Sequence, residues 1–175
     1  MKTILFQGDS ITDCGWDRKA PTVISNLGAG YARLVSAELG YENPGEYTFY
    51  NRGVSGNRIV DLYARIKADF INLAPDYASI YVGVNDTWHE IAAQNGVDTE
   101  KFEKIYTMYI DEIKAACPNI KLIIIAPYVL EGNAIKLLLI ILWFKGCKRR
   151  EQRSYLMPQP LCKCISVSRR SCSLI

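Results

Sequence analysis

The feature that most constrains the fold is a regular alternation of short apolar runs and helical patterns along the first 126 residues. Strands are predicted over 2–7, 47–51, 77–82 and 120–126, and helices over 31–39, 59–71 and 99–116. This β-α-β-α-β-α-β order favours a parallel sheet with helices on both sides. Gly40 is expected to stop the first helix. The last run is nearly continuous in Ile and Leu, which is typical of a strand covered on both faces.

Three of the four predicted strands end in a polar or glycine-rich turn. These turns are Gly8-Asp9-Ser10, Arg52-Gly53-Val54-Ser55-Gly56-Asn57 and Gly83-Val84-Asn85-Asp86. Because ligands of open parallel sheets bind at the carboxyl ends of the strands, chemistry is expected at this edge.

The three turns hold residue types suited to acyl transfer. Ser10 directly follows a strand, so its hydroxyl can lie exposed as a nucleophile. Gly56 lets the backbone approach a ligand closely because it has no side chain. Asn85 offers an amide donor. One nucleophile with converging neutral donors can stabilise the oxyanion of a tetrahedral intermediate.

These segments resemble the SGNH (GDSL-type) hydrolases. Gly8-Asp9-Ser10-Ile11-Thr12 is similar to the first sequence block of that family, the segment 51–57 to the second, and 83–86 to the third. The blocks occur in the family's order, and the resemblance covers residues 1 to about 130. It implies an α/β fold, a three-layer α/β/α sandwich with a parallel, flavodoxin-like sheet. It also implies hydrolysis of carboxylic esters through an acyl-serine intermediate.

The resemblance also implies roles for single residues. Ser10 would be the nucleophile, and its own N–H, the Gly56 N–H and the Asn85 side chain would form the oxyanion hole. Asp9 and Asp86 are interpreted as turn formers that hold the loop geometry. The alternative for Gly56 and Asn85 is that they are turn residues only.

The general base that such a serine needs is not evident. In the resembled family it is a His in a late Asp-x-x-His block after a fifth strand, and this chain contains one histidine, His89. The segment Asp86-Thr87-Trp88-His89 has the same spacing, so His89 is either a substitute base or a residue that lines the pocket. A base must lie within about 3 Å of the hydroxyl. We therefore expect little or no turnover from the chain as it stands.

The end of the chain differs in composition from the rest. Residues 145–175 hold eight Lys and Arg against the single acidic residue Glu151, and four of the six cysteines. This predicts a hydrolase domain over 1–133 and an atypical tail over 134–175, which we attribute to a reading-frame shift near 133–137. The alternatives are a basic nucleic-acid-binding arm and a metal site at Cys162 and Cys164, but such a site needs four ligands in a defined pattern.

The location and the ligands follow from the same observations. We expect no signal peptide, because the apolar run at residues 4–6 is too short for the apolar region of one. The apolar run 137–144 is also too short to cross a bilayer, which takes about 20 residues. We therefore expect a cytoplasmic protein with free thiols that binds neither membrane nor nucleic acid. Its expected ligand is a small-molecule ester, with no cofactor and no metal; the oligomeric state stays open.

Three functions are compatible with the fold. The leading hypothesis is an ester hydrolase for a small acyl or acetyl ester, such as one on a carbohydrate. The second is a pseudoenzyme that binds such a ligand without cleaving it. The third, a nucleotide-binding domain, is disfavoured because neither Gly-x-Gly-x-x-Gly nor a phosphate-loop Lys follows the first strand.

Overall fold

The computed structural model describes residues 1–19 and 25–127, which contain one parallel four-stranded sheet in the order β2-β1-β3-β4. The strands are β1 (Lys2–Gly8), β2 (Tyr47–Asn51), β3 (Tyr77–Tyr81) and β4 (Lys121–Ile125). The helices are α1 (Ser10–Asp13), α2 (Tyr31–Glu42), α3 (Ile59–Ala64), α4 (Ile66–Asp69), α5 (Val84–Ala93) and α6 (Thr99–Ala116). Short 3-10 turns cover Ser25–Leu27 and Ile71–Leu73.

Apolar clusters lie on both faces of the sheet, because successive side chains of a strand point in opposite directions. On one face, Ile4 and Phe6 of β1 pack with Ala32 of α2. On the other, Leu5 of β1 belongs to a larger cluster. That cluster includes Ile59, Leu62, Ile66, Phe70, Ile80, Phe102, Tyr109 and Ile113, which come mainly from α3, α4, β3 and α6. The predicted three-layer α/β/α fold with a parallel sheet is confirmed.

The prediction that Gly40 stops the helix over 31–39 is wrong. α2 continues to Glu42 and closes at Asn43, whose N–H donates to the Leu39 carbonyl at 2.9 Å. A glycine inside a helix costs only about 1 kcal/mol, which the surrounding turns can offset.

The helix predicted over 59–71 is interrupted. α3 ends at Ala64, α4 covers Ile66–Asp69, and a 3-10 turn follows at Ile71–Leu73. The apolar spacing was interpreted correctly, since Ile59 and Phe70 are both buried. The break lies at Arg65 (φ −110°, ψ 13°), whose guanidinium binds backbone and side-chain acceptors in the loops beyond the strands.

Helix α5 was missed in the sequence, where 83–86 was interpreted as a turn. Gly83 (φ 136°) precedes the helix, Asn85 and Asp86 lie in its first turn, and Gln94 (φ 52°) ends it. Asn, Asp, Thr and His are weak helix formers, so the local signal for a helix is poor.

Strand β4 is more exposed than a strand covered on both faces would be. Within the described residues it pairs with β3, and Lys121 and Ile123 are exposed. The predicted boundary at residue 133, the tail 134–175, the apolar run 137–144 and the pair Cys162 and Cys164 lie outside the described residues. No helix in the described part has both the length and the apolar character needed to cross a membrane.

Candidate active site

The residues predicted to carry chemistry lie just beyond the strand ends, at one edge of the sheet. β1 pairs in parallel with both β2 and β3, so the carboxyl ends of the three strands are neighbours. Ser10 follows β1, Gly56 follows β2 and Asn85 follows β3. The topology therefore brings the three loops together, as the strand-end pattern predicts.

Ser10 is the first residue of α1 and is exposed. The preceding Asp9 caps this short helix, because its Oδ1 accepts a hydrogen bond from the Ile11 N–H at 3.0 Å. Its own N–H donates to the Tyr81 carbonyl at the end of β3, at 3.3 Å. Asp9 is fully buried, and this burial raises the pKa of its carboxyl. The side chain of Asp9 thus fixes the backbone on which Ser10 is presented.

Gly56 lies in a tight turn from Val54 to Asn57, closed by a 3.1 Å hydrogen bond from the Asn57 N–H to the Val54 carbonyl. At φ +82° it adopts the left-handed conformation that the third position of a type II turn requires. A second bond, from the Val54 N–H to the Gly8 carbonyl at 3.1 Å, holds this turn against the end of β1. Gly56 is therefore required by the backbone conformation, whatever its further role.

Asn85 reaches the same turn from α5. Its Nδ2 donates to the carbonyl of Asn57, the residue after Gly56, at 3.1 Å. An amide nitrogen carries two N–H bonds, so the second can serve a ligand. The side chain of Asn85 is thus bonded directly to the residue that follows Gly56.

His89 follows Asn85 by one turn of α5, so both side chains lie on the same face of the helix. The His89 Nε2 lies 4.0 Å from the position that a Cβ atom on Gly56 would occupy, and the imidazole is partly exposed. This places His89 beside the Gly56 turn, as expected for a residue that lines the pocket. Its action as a substitute base remains a hypothesis.

Asp86 does more than shape a turn. Its buried carboxylate accepts the Ile59 N–H, at 3.0 Å to Oδ1 and 3.3 Å to Oδ2, and so links α5 to the start of α3. Burial raises the pKa of this carboxyl from 3.8 to about 6, although the hydrogen bond from Ile59 and the nearby Arg58 act in the opposite direction. The interpretation of Asp86 as a turn former is corrected: it lies inside a helix and joins two helices.

Asn51 connects the loops around the site, a role that its sequence position alone did not predict. It is buried at the end of β2, and its Nδ2 donates to the carbonyls of Thr12 at 2.6 Å and Leu27 at 3.0 Å. Its Oδ1 accepts the Gly53 N–H at 2.8 Å. The sequence feature that could have indicated this role is an Asn at the end of a predicted strand, directly before a glycine-containing turn, because a polar side chain buried there needs hydrogen-bond partners.

Gly53 packs against the helix that begins at Ser10. A Cβ atom on Gly53 would meet the backbone nitrogen of Asp13, and the Gly53 carbonyl accepts the Trp16 Nε1–H at 2.7 Å. The Asp13 carboxylate in turn accepts the Ser55 N–H at 2.9 Å. The loop after β2 is therefore fixed against α1 at Gly53 and at Ser55.

The described residues contain no group of three or more His, Cys, Asp or Glu side chains arranged to hold a metal ion. The groups that the structure places at this edge are the Ser10 hydroxyl, backbone N–H groups, the Asn85 amide and the His89 imidazole.

The sequence model of the GDSL-like lipase/acylhydrolase family matches residues 6–147. An acetylxylan esterase from Geobacillus stearothermophilus is 35% identical over 141 residues, which is 74% of this chain and 61% of that protein. The chain therefore spans less than two thirds of the length of this relative.

Solved structures agree with this assignment. A protein from Parabacteroides merdae assigned to the GDSL-like lipases superimposes with a TM-score of 0.77 and 31% identity, over 86% of this chain and 73% of that one. A catalytic mutant of an acetylxylan esterase from Geobacillus stearothermophilus superimposes with a TM-score of 0.74 and 31% identity, over 86% and 70%. The family model, the sequence relative and the shared fold lead to one conclusion: the chain belongs to the GDSL-like lipase/acylhydrolase family.

Proposed function

We propose that this chain is a carboxylic ester hydrolase that works through an acyl intermediate on Ser10. The observation that carries the proposal is the joint position of Ser10, Gly56 and Asn85 just beyond three strand ends at one edge of the sheet, with the Asn85 amide bonded to the Asn57 carbonyl. Family membership supports it, because the three residues stand in the three blocks that resemble the family.

The proposed reaction begins when the Ser10 Oγ attacks the ester carbonyl carbon and gives up its proton to a base. The carbonyl oxygen becomes an oxyanion that accepts hydrogen bonds from the Ser10 N–H, the Gly56 N–H and the Asn85 Nδ2. Collapse expels the alcohol, which takes the proton, and water then releases the acid from Ser10. Removing one such donor typically lowers the rate about 100- to 1000-fold.

The proposed substrate is a small acyl ester, in particular an acetyl ester on a carbohydrate. The support is the similarity to acetylxylan esterases, at 35% identity in sequence and a TM-score of 0.74 in structure. Since the chain covers 61% of the sequence relative, the transfer of this substrate class is part of the proposal.

The rate of hydrolysis depends on which residue acts as the general base for Ser10. Catalytic mutants of the acetylxylan esterase replace a serine, an aspartate and a histidine three positions after that aspartate. The histidine of the present chain, His89, instead lies on α5 beside Gly56. We therefore expect slow turnover, because an unassisted serine hydroxyl is a weak nucleophile.

Hydrolysis of p-nitrophenyl acetate by the parent chain, Ser10→Ala and His89→Ala tests the proposal. We expect slow release of p-nitrophenol that Ser10→Ala abolishes and that His89→Ala leaves nearly unchanged. Equal rates in the parent and Ser10→Ala would overturn the proposal. Fast turnover that both substitutions abolish would refute the slow rate and establish His89 as the base.

A second candidate function is ligand binding without hydrolysis. Two observations favour it. The Asn85 amide is held beside the Gly56 turn, and the one histidine of the sequence, His89, lies on α5. Titration with an acetylated xylooligosaccharide, followed by chromatography of the ligand, separates the two functions. Saturable binding of intact ligand, with no acetate released over days, would establish the binding function.

A further inference from the structure

Arg65 occupies the junction between α3 and α4, and its side chain is 17% exposed. Its guanidinium donates to acceptors in the loops after two strands. Nη2 donates to the Gly8 carbonyl at 3.2 Å, Nη1 to the Arg52 carbonyl at 2.8 Å, and Nε to the Asn57 Oδ1 at 2.8 Å. One rigid planar group thus spans the end of β1 and both ends of the loop after β2.

Each end of this span is directly connected to a residue of the proposed site. Gly8 lies two positions before Ser10, so the bond to its carbonyl fixes the backbone from which the nucleophile projects. The same carbonyl accepts the Val54 N–H at 3.1 Å, which holds the turn that contains Gly56.

Asn57 connects Arg65 to the third loop. It directly follows Gly56, its side chain is held by Arg65, and its carbonyl accepts the Asn85 Nδ2 at 3.1 Å. A displacement of Asn57 would therefore move the Gly56 N–H and the Asn85 amide together. Arg65 therefore supports all three donors, although they follow three different strands.

We propose that Arg65 is a positioning residue that sets the distances between the Ser10, Gly56 and Asn85 donors. The inference rests on the proposed function, since those donors matter only if an oxyanion forms among them. Arg65 acts through Gly8 and Asn57, and no step assigned to it involves the substrate.

The geometry selects arginine for this role. Arg65 binds three acceptors in different directions, through Nε and both terminal nitrogens, and this arrangement matches the planar fork of a guanidinium. A lysine ammonium is a compact point charge and does not provide donors in this fixed geometry. Arg65 also forms an ion pair with Asp69, at 2.9 Å between Nη1 and Oδ2. That pair is partly exposed, and Asp69 also pairs with Arg52, at 3.8 Å between Nε and Oδ1. Asp69→Asn therefore removes both ion pairs, while the Arg65 hydrogen bonds to the Gly8 carbonyl, the Arg52 carbonyl and Asn57 stay in place.

Single-turnover acylation by p-nitrophenyl acetate tests the role, because the first equivalent of p-nitrophenol reports formation of the oxyanion even where later turnover is slow. We compare the parent chain, Arg65→Lys, Asn57→Ala and the control Asp69→Asn, each checked for folding by circular dichroism. Misplaced donors weaken the transition state more than the ground state. We expect Arg65→Lys and Asn57→Ala to lower the maximal acylation rate by about 10- to 100-fold. The substrate concentration for half-maximal rate should change less than threefold, and Asp69→Asn should stay within threefold of the parent.

A second measurement separates positioning from folding. In Arg65→Ala, added guanidinium ion at millimolar concentration should restore part of the lost acylation rate, which a merely destabilised protein would not show. If Arg65→Lys and Asn57→Ala acylate at rates within threefold of the parent, the positioning role of Arg65 is overturned, while the proposed function is unaffected. If the parent chain does not acylate faster than Ser10→Ala, the proposed function is overturned, and the positioning role of Arg65 with it.

Discussion

Replacing Asp86 with asparagine should make the stability of the protein less sensitive to pH. The Asp86 carboxylate is buried, accepts the Ile59 N–H, and has its pKa raised from 3.8 to about 6 by desolvation. Arg58 lies close enough to lower that pKa and Asp61 close enough to raise it, so both facing charges are included in the net shift. Asparagine has the same shape and keeps an oxygen for the Ile59 N–H, but it does not ionise.

The sign follows from the raised pKa. Because the folded protein holds the Asp86 proton more tightly than the unfolded chain, the stabilising contribution is complete below about pH 3.8 and is lost as the pH rises through about 6. The shift from 3.8 to about 6 corresponds to about 3 kcal/mol in all. Between pH 4.5 and pH 7.5 the linkage relation leaves about 2 kcal/mol of this change.

Urea unfolding followed by tryptophan fluorescence, at pH 4.5 and pH 7.5, measures the effect. We expect the free energy of unfolding of the parent, relative to Asp86→Asn, to fall by about 2 kcal/mol between these pH values. The comparison with the variant cancels the contributions of other titratable groups, such as Asp9, whose pKa is also raised by burial. Parallel stabilities of parent and variant at both pH values would refute the assigned protonation.

Asp98 offers a matched control because it also accepts a backbone N–H at the start of a helix, but at the surface. Its Oδ1 accepts the Lys101 N–H at 2.8 Å, and this bond lowers the pKa of the carboxyl. The sign is therefore reversed: Asp98→Asn should remove a contribution that is present at neutral pH and lost as the pH falls through the lowered pKa. A change of the same sign for both variants would show that the pH response is not set by burial.

The loop after β2 yields three further predictions, each measured as the free energy of urea unfolding. Gly53→Ala should destabilise by more than about 2 kcal/mol, because the new Cβ meets the Asp13 backbone nitrogen, whereas Gly45→Ala (φ +79°, with open space) should cost only about 1 kcal/mol of left-handed strain. Equal costs would contradict the packing argument. Asn51→Ala should cost about 3 kcal/mol, since it strips several buried backbone groups of their partners. Trp16→Phe replaces the buried indole with a smaller phenyl ring and removes the bond to the Gly53 carbonyl, so a loss of at least about 1 kcal/mol is expected, and no change would contradict a stabilising role of this bond.

The order of elements and the edge of the site could be predicted from the sequence, since both depend on local patterns. Hydrophobic runs identified the four strands, and the polar turns after three of them identified the residues that the topology brings together. Helix α5 could not be identified, because its first turn is composed of weak helix formers. Its start is fixed instead by a tertiary contact, from the Asp86 carboxylate to the Ile59 N–H.

The break at Arg65 had the same kind of cause. The apolar period through Ile59, Leu62 and Ile66 continues across it, so a pattern of spacing alone predicts one helix. The backbone bends where the guanidinium of Arg65 binds acceptors in loops that are distant in sequence, such as the Gly8 carbonyl. Periodicity reports which face of a helix is buried, and it carries no information about such long-range hydrogen bonds.

Two of the buried aspartates, Asp9 and Asp86, illustrate why the framework of the site is polar. Asp9 precedes Ser10 and Asp86 follows Asn85, and burial raises the pKa of both carboxyls, so each is less stable as a charged group than it would be in water. Each accepts a backbone N–H at the start of a helix, from Ile11 in α1 and from Ile59 in α3. An apolar side chain would remove the desolvation penalty but leave those N–H groups without an acceptor. The desolvation of Asp9 and Asp86 is therefore the cost of hydrogen bonds that fix the backbone next to Ser10 and Asn85.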